Sequence, residues 1–485
     1  MVLFLGQIFR LSHGQDPPSS ESNMSKVVRI IDATLREGNQ CHGASFNEKN
    51  SPEIASAIAA LGIDMLEIGH PVCSAQEIRR IKSIVELDLG CPILAHSRAH
   101  AKDVRAVAET GAQWIGIFVG INEISQKVRI SNRQTNQIIK MIKDSVSLAK
   151  ELGLKVRYTV EDASRTPDDI LLQAYSEAIN SGADRICYSD TLGILEPNEV
   201  CEKISLLKKH FPEIDIEVHF HDDRGLAMAN ALAAVDAGAN WISTSINGIG
   251  ERSGITDTCA FIANLTYRKK RKFLHLDQLK KVSRLVAAHS RSFVDPRRPL
   301  VGKNAFHHKA RLHAKAIEKD ESSYNWIAPG IFGLTSTTHL PELPRELDKL
   351  INIPKVIPAS ELKYHTDGPG LRYVMVDERF VPDSRQYCIV RKIGLVKGVI
   401  APHVDAHRHD CDSLFMFIGA HENLTGLAVE VQLGDEIFPI KSPSSVFIPA
   451  GIEHSYRVIA GEGIYVNHVL SGCYNDSLLE GKLTS

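Results

Sequence analysis

One rhythm, sustained from residue 27 to about residue 265, constrains this chain more than any other feature. Short runs rich in β-branched residues alternate with longer amphipathic ones. The strand-like runs are "VVRIIDATL", "DMLEIG", "PILAHSR", "WIGIFV", "KVRYTVED", "RICYSDT", "IEVHFH" and "WISTSI". Between them the spacing predicts helices over 49–61, 133–152, 168–181 and 225–237. "LGID", "TGAQ", "LGLK", "SGAD" and "AGAN" carry the glycine that ends a helix before the next strand. Eight strands alternating with helices over roughly 240 residues indicate an α/β chain folded as a (β/α)8, or TIM, barrel. A doubly wound open sheet is the alternative. No G-x-G-x-x-G follows the first strand, which argues against dinucleotide binding.

The chain has 485 residues, more than one core normally serves. We expect a disordered extension over 1–25 and the barrel over 26–270. A helical subdomain over 271–340 would follow, then a linker over 341–360 marked by Pro341, Pro344, Pro354 and Pro358. From 361 to 485 short β runs are broken by Gly, Pro and Asp. The formal net charge of −2 gives no broad basic field for nucleic acid. One basic run, "RKKRK" at 268–272, reads as a solvated helix end. No apolar run has the length of a membrane span. Nine cysteines without a C-x-x-C pair suit reduced thiols in a cytoplasmic enzyme.

In such a barrel, chemistry sits where strands end at their C-terminal side. Those ends are unusually polar here. They bring Asp32, Arg36, Glu37 and Gln40, then Glu67 and His70, then His96, Arg98 and His100. Later strands bring Arg157, Thr159, Glu161, Asp190 and Thr191. A lone buried histidine is more often a hydrogen-bonded core residue than a ligand, and a lone Arg–Glu pair is usually a salt bridge. Convergence of so many groups on one rim is hard to explain as packing, because each must be desolvated.

The seventh strand leads into "HFHDDRG". Side chains at i and i+2 share a strand face, so His219 and His221 point into the barrel and Phe220 into the helix layer. With one carboxylate they make a two-histidine metal site with open positions. Glu37 is the preferred carboxylate and Asp32 the second choice. Either Asp222 or Asp223 can orient a ligand histidine, and Asp223 also suits a helix N-cap. A divalent ion there can chelate and polarise a 2-oxo acid. Arg36 can stabilise the alkoxide formed on attack. Thr159, Thr191 and Arg157 can hold the distal acid, and Glu161 can move protons.

"DATLREGNQ", "VEDASRT", "SDTLG", "HFHDDRGLAMANALAAVDAGA" and "GIGERSGIT" together resemble the homocitrate synthase and isopropylmalate synthase family. "VGKNAFHHKARLHAKAI" resembles the family's following subdomain. The resemblance covers about 27–338. It implies a metal-dependent condensation of acetyl-CoA with a 2-oxo acid, giving a 2-hydroxy acid and free CoA. It implies magnesium, manganese or zinc on Glu37, His219 and His221, and a catalytic Arg36. It also implies 2-oxo acid contacts from Gln40, His96, Arg157, Thr159 and Thr191, proton transfer at Glu161, and a homodimer in which His313 serves the partner's site. Three positions depart from the family pattern. Ile255 stands where the isopropylmalate branch has an asparagine ligand, which is closer to the homocitrate branch. A glycine is replaced in "KARLH". A tyrosine expected later in the subdomain is missing, with only Ser336, Thr337 and Thr338 in its place. A lyase or aldolase acting on a hydroxy-acyl-CoA on the same barrel is the rival, although its glycine-rich cysteine loop is absent. A non-catalytic sensor is disfavoured by the intact Arg36, Glu37, His219 and His221.

In the C-terminal third, "HVDAHRHDCDSLFMFIG" and "SPSSVFIPAGIEHSY" resemble the two motifs of a cupin, a small all-β barrel. His407 and His409 share a strand face, and His454 comes from the second motif. Three imidazoles make a second candidate metal site. The usual glutamate of the first motif is missing, and Asp412 is the candidate substitute. A ligand-binding or assembly role without metal is equally open.

Overall fold

The computed structural model describes residues 27–338, 350–382 and 384–479. The expected N-terminal extension and the linker prolines Pro341 and Pro344 lie outside the described residues.

Eight parallel strands close into a barrel in chain order. They are β1 (Arg29–Asp32), β2 (Met65–Ile68), β3 (Ile93–Arg98), β4 (Trp114–Gly120), β5 (Lys155–Glu161), β6 (Arg185–Asp190), β7 (Asp215–Phe220) and β8 (Trp241–Thr244). Closure is made by β8 on β1, in register from Arg29 opposite Trp241 to Asp32 opposite Thr244. The predicted helices are found at Ser51–Ala59, Thr135–Glu151, Asp168–Asn180 and Ala227–Asp236. Their apolar stripes and the outward residues of the strands, Phe220 among them, form one continuous core. The N-terminal end of the barrel is plugged by Ile31, Met65, Leu94 and Trp241. The Arg185 guanidinium lies between two indoles there, 4.7 Å from the Trp114 ring centre and 3.9 Å from that of Trp241.

The basic run lies at a helix end, as expected, with Lys269, Lys270 and Lys272 exposed. The preceding helix, Thr258–Tyr267, ends before it. Arg268 pairs with Asp236 and Arg271 with Asp64, and Arg271 also donates to the carbonyls of Val28 and Gly62. The run thus ties the end of the barrel down.

Among the described residues, the segment after the barrel has no core of its own. Leu279, Val282 and Val286 of the helix Leu279–Ser290, together with Phe306 and Phe332, join the barrel's core. The C-terminal part is antiparallel. It comprises β9 (Lys355–Val356), β10 (Arg372–Val376), β11 (Tyr387–Val396), β12 (Ser413–Gly419), β13 (Leu427–Leu433), β14 (Glu436–Lys441), β15 (Ser444–Ile448) and β16 (His454–Val469). Lys355 already pairs with β10, so the sheet begins within the stretch expected to be linker. Alternate residues of these strands form a second core around Phe415, Phe417 and Val431. The long β16 pairs with β13 through its first half and with both β11 and β12 through its second. The two parts are joined by ion pairs: Arg408 forks onto Glu53 at 2.7 and 2.9 Å, and Arg284 reaches Asp410 at 2.6 Å.

Candidate active site

Glu37 follows β1 in a turn, and His219 and His221 come from β7 and the residue after it. The structure brings the three together. The Nε2 atoms of the histidines lie 3.4 Å apart. Each faces one oxygen of Glu37 at 3.9 Å. All three side chains are buried, and their ligand-capable atoms lie within 4.8 Å of one another. Two imidazoles and one carboxylate converging at that spacing fit a divalent ion. Burial first, then His221 and Arg36, hold His219 down at about 3. Burial also lowers His221, against the pull of Glu37. Burial pushes the Glu37 carboxyl up, but Arg36, His219 and His221 outweigh it and leave it lowered. Neutral imidazoles beside an ionised carboxylate are the ligand forms of all three.

The second contact of His219 is with Ser243 of β8, whose Oγ lies 2.9 Å from Nδ1. Neither Asp222 nor Asp223 plays that part. Asp222 accepts the amide of Ala227 at the start of the next helix, and Asp223 forks onto Arg252. Asp223 is therefore not the cap: Leu226 occupies the N-cap position, and Asp222 holds the first helical amide. Asp32 also stands outside the cluster, accepting from the Thr34 amide and from Thr258. Burial raises its carboxyl to about 6. The loop after β8 closes over the cluster, with the Glu251 amide donating to Glu37 at 3.0 Å. Gly250 allows this approach: a Cβ there would lie 3.0 Å from Glu37 Cγ. Ile255 is buried in that loop and pairs with His221 through the backbone.

A column of alternating charges runs from the plugged end of the barrel to the cluster. Arg185 pairs with Glu217 at 2.9 Å, and Glu217 with Arg157 at 3.0 Å. Arg157 pairs with Glu67 at 2.8 Å, Glu67 with Arg36 at 3.1 Å, and Arg36 with Glu37 at 2.5 Å. Each buried charge is thereby matched, as burial requires. Arg157 spends both ends of its guanidinium in this column, on Glu67 and Glu217. Glu217 was not singled out from the sequence, since one glutamate in a strand carries no signal.

The other predicted residues spread over the same rim. His96 stacks on Phe118, and its Nδ1 lies 3.0 Å from Nε2 of His70. Burial and then Arg36 hold both imidazoles down, His70 to about 4. Thr159 is buried with no hydrogen-bond partner for its hydroxyl. Thr191 accepts the Asp162 amide at 2.9 Å. Glu161 pairs with Arg129 at 2.6 Å. Gln40 is exposed on the turn after Glu37. His313, on the helix Arg311–Ile317, stacks on Tyr324 with ring centres 3.8 Å apart. Tyr324 thus supplies an aromatic neighbour where Ser336, Thr337 and Thr338 had been the only residues considered.

The pattern described as HMGL-like matches residues 27–286, more than half of the chain. The chain belongs to the HMGL-like family. Within it, the likeness is to the homocitrate and isopropylmalate synthases. A second pattern, described as homocitrate synthase post-HMGL domain-like, matches residues 300–342. Homocitrate synthases of Saccharolobus islandicus and Saccharolobus solfataricus are 38% identical over 312 residues, covering 64% of this chain and 68% of theirs. That of Sulfurisphaera tokodaii is 38% identical over 310 residues, covering 63% of this chain and 67% of its own. Among solved structures, the HMG-CoA lyase of Bacillus subtilis shares the fold with a TM-score of 0.51 and 20% identity, over 56% of this chain and 95% of that one. An Acinetobacter baumannii HMG-CoA lyase bound to coenzyme A and 3-methylmalate matches with a TM-score of 0.50 and 17% identity, over 56% of this chain and 94% of that one.

The C-terminal part of this HMGL-like protein holds a second cluster. His407, His409 and His454 are buried with their ligand-capable atoms within 4.8 Å. The Nε2 atoms of His409 and His454 have no partner. Asp412 is not part of this cluster, because it accepts the Ala450 amide instead. The polar side chain beside the histidines is Tyr474, whose hydroxyl lies 2.6 Å from His407 Nε2 and 2.7 Å from His365 Nε2. Nothing in the sequence near the two motifs pointed to Tyr474. Arg408 and Asp410 alternate with the histidines and face the barrel, which is why they make the ion pairs between the two parts.

Proposed function

We propose that the chain condenses acetyl-CoA with a 2-oxo acid, giving a 2-hydroxy acid of the alkylmalate or homocitrate type and free CoA. The observation that carries this reading is the Arg36–Glu37–His219–His221 constellation at the C-terminal rim of an HMGL-like barrel. Homocitrate synthases as its relatives support it.

Glu37, His219 and His221 would hold a divalent ion, which when bound supplies Lewis acidity at the ketone of the 2-oxo acid. Ser243 fixes the His219 ring. Glu67 fixes Arg36, whose guanidinium, tethered on two sides by carboxylates, offers donors to an oxyanion developing at the rim. Arg157 positions Glu67 from below. The free hydroxyl of Thr159, with Thr191, Gln40 and His96, orients the acid. Glu161, and His313 from a partner subunit of a homodimer, serve as proton carriers. The C-terminal part is read as a cupin-like barrel with a metal on His407, His409 and His454. The nine free cysteines favour the cytoplasm, and among the described residues no helix is long and apolar enough to cross a membrane.

The test is CoA-thiol release from acetyl-CoA against a panel of 2-oxo acids, phosphono acids included, for the wild type and His219→Ala. Thiol release with at least one acid, lost in the variant together with bound metal, supports the reading. No release with any acid, combined with cleavage of a hydroxy-acyl-CoA, makes the protein a lyase.

A further inference from the structure

Two arginines stand directly opposite each other on neighbouring strands of the C-terminal sheet. Arg372 of β10 is in register with Arg391 of β11. Both occupy positions that the alternation assigns to the interior, and both are about 95% buried, at 5% and 4% exposure. Like charges directly opposite on a sheet repel. A buried charge without a counter-ion costs several kcal/mol in general. Neither arginine has a carboxylate partner among the described residues. Arg372 uses one nitrogen on the carbonyls of Ile357 and Pro358, leaving Nε and Nη1 with no acceptor. Arg391 reaches only the Gly370 carbonyl, at 3.3 Å. The neighbouring acid Glu361 is committed to Arg379 at 2.8 Å.

These guanidiniums face space. Both line a narrow inner cavity of about 20 Å³, room for about one water, walled also by His365, Tyr387, Asn467 and Tyr474. Both also line an outer cleft running past Asp367 and Gly370 to the surface. The Tyr387 hydroxyl and the Asn467 carbonyl oxygen are buried without partners. The cavity therefore has a cationic gate, unpaired polar walls and an approach from outside. Its far wall is Tyr474, the residue that joins His365 to His407.

We propose that the outer cleft binds a small oxyanion, the carboxylate or phosphate group of a compact acid, seated between Arg372 and Arg391. The anion supplies the negative charge that the sheet withholds, and a forked oxyanion matches two guanidinium edges. The cleft, of about 440 Å³, has the room of a small-molecule site. The site is separate from the barrel rim and needs neither the barrel chemistry nor a metal on the histidines.

Calorimetric titration of the full chain tests this, with malonate, malate and inorganic phosphate as probes at constant ionic strength. The His219→Ala chain is titrated to weaken competing binding at the barrel rim, alongside the same chain carrying Arg372→Met and Arg391→Met. At least one probe binds the first chain, and binding is weakened tenfold or more in the second. The malonate and phosphate arms distinguish carboxylate from phosphate. Equal binding to both chains, or no binding to the first, overturns the proposal. If the substituted chain fails to fold, hydrogen exchange on the His219→Ala chain decides. The probe that binds slows exchange in β10 and β11 relative to chloride, and unchanged exchange there overturns the proposal.

Discussion

The hydroxyl of Ser243 lies 2.9 Å from Nδ1 of His219, and this contact decides which imidazole nitrogen faces Glu37. A side chain one strand away thus fixes the aim of a candidate ligand. Ser243→Ala removes that hold without emptying the cluster. Metal affinity should fall about 10–100-fold, with activity recovered at raised metal concentration. Titration of metal-stripped protein gives the number. An unchanged affinity would leave the hydroxyl a mere packing neighbour.

Arg36 is clamped between Glu37 and Glu67. Because its proposed work is done on charge that develops during reaction, Arg36→Ala should lower kcat by about 10²–10³. KM should change less. Steady-state kinetics separate the two, and a change confined to KM assigns Arg36 to substrate binding alone.

His313 stacks on Tyr324 in the segment that follows the barrel. If it serves a partner's site, mixing inactive His219→Ala and His313→Ala chains restores part of the activity through hybrid dimers. Failure to recover, once mass spectrometry has shown subunit exchange, means that each chain completes its own site.

The barrel cluster and the three-histidine cluster should separate by mutation. His407→Ala with His409→Ala should keep thiol release within about tenfold, a barrier change of ~1.4 kcal/mol. Thermal stability should fall instead, because a bound ion's linkage stabilisation is lost. Kinetics on protein shown by metal analysis to retain the barrel ion make the comparison. Complete loss of turnover there would draw the C-terminal part into the chemistry.

His289 offers a pH test of the junction between the two parts. Its Nδ1 lies 3.1 Å from the Asn50 side chain, and its ring packs against Gly451 of the C-terminal part. Burial lowers it from 6.5 to about 4. The folded state therefore holds it neutral where the unfolded chain is already protonated. Its contribution is complete above pH 6.5 and is lost as the pH falls towards 4, by no more than ~3 kcal/mol. His289→Gln should flatten the fall in melting temperature between those limits. An identical profile in wild type and variant removes His289 from the pH response.

The barrel was legible because strand and helix periods differ and repeat eight times. The pairing of His219 with His221 was legible because the pleat puts i and i+2 on one face. Ser243 was not, since a lone serine in a strand looks like any other. Nor were the partners of Arg157: only closure of the barrel brings Glu67 from β2 and Glu217 from β7 onto one guanidinium. The part of Asp222 was not legible either, because a single residue of loop geometry decides whether it or Asp223 reaches the helix amide. In the C-terminal part the histidines could be read from their motifs, while Tyr474 and Arg372 reach the interior only through long-range pairing.

The length of β16 has a consequence for how the chain is made. Each barrel strand finds its next neighbour soon after it leaves the ribosome, and only the β1–β8 seam must wait. In the C-terminal part, β11, β12 and β13 all pair with β16, the last strand described. Until residues 454–469 are synthesised, those three strands expose open edges and apolar faces. Nascent or prematurely terminated chains would thus carry a finished barrel tethered to a sheet without its central strand, a form open to edge-to-edge association. Synthesis of residues 454–469 is therefore the step that closes those edges.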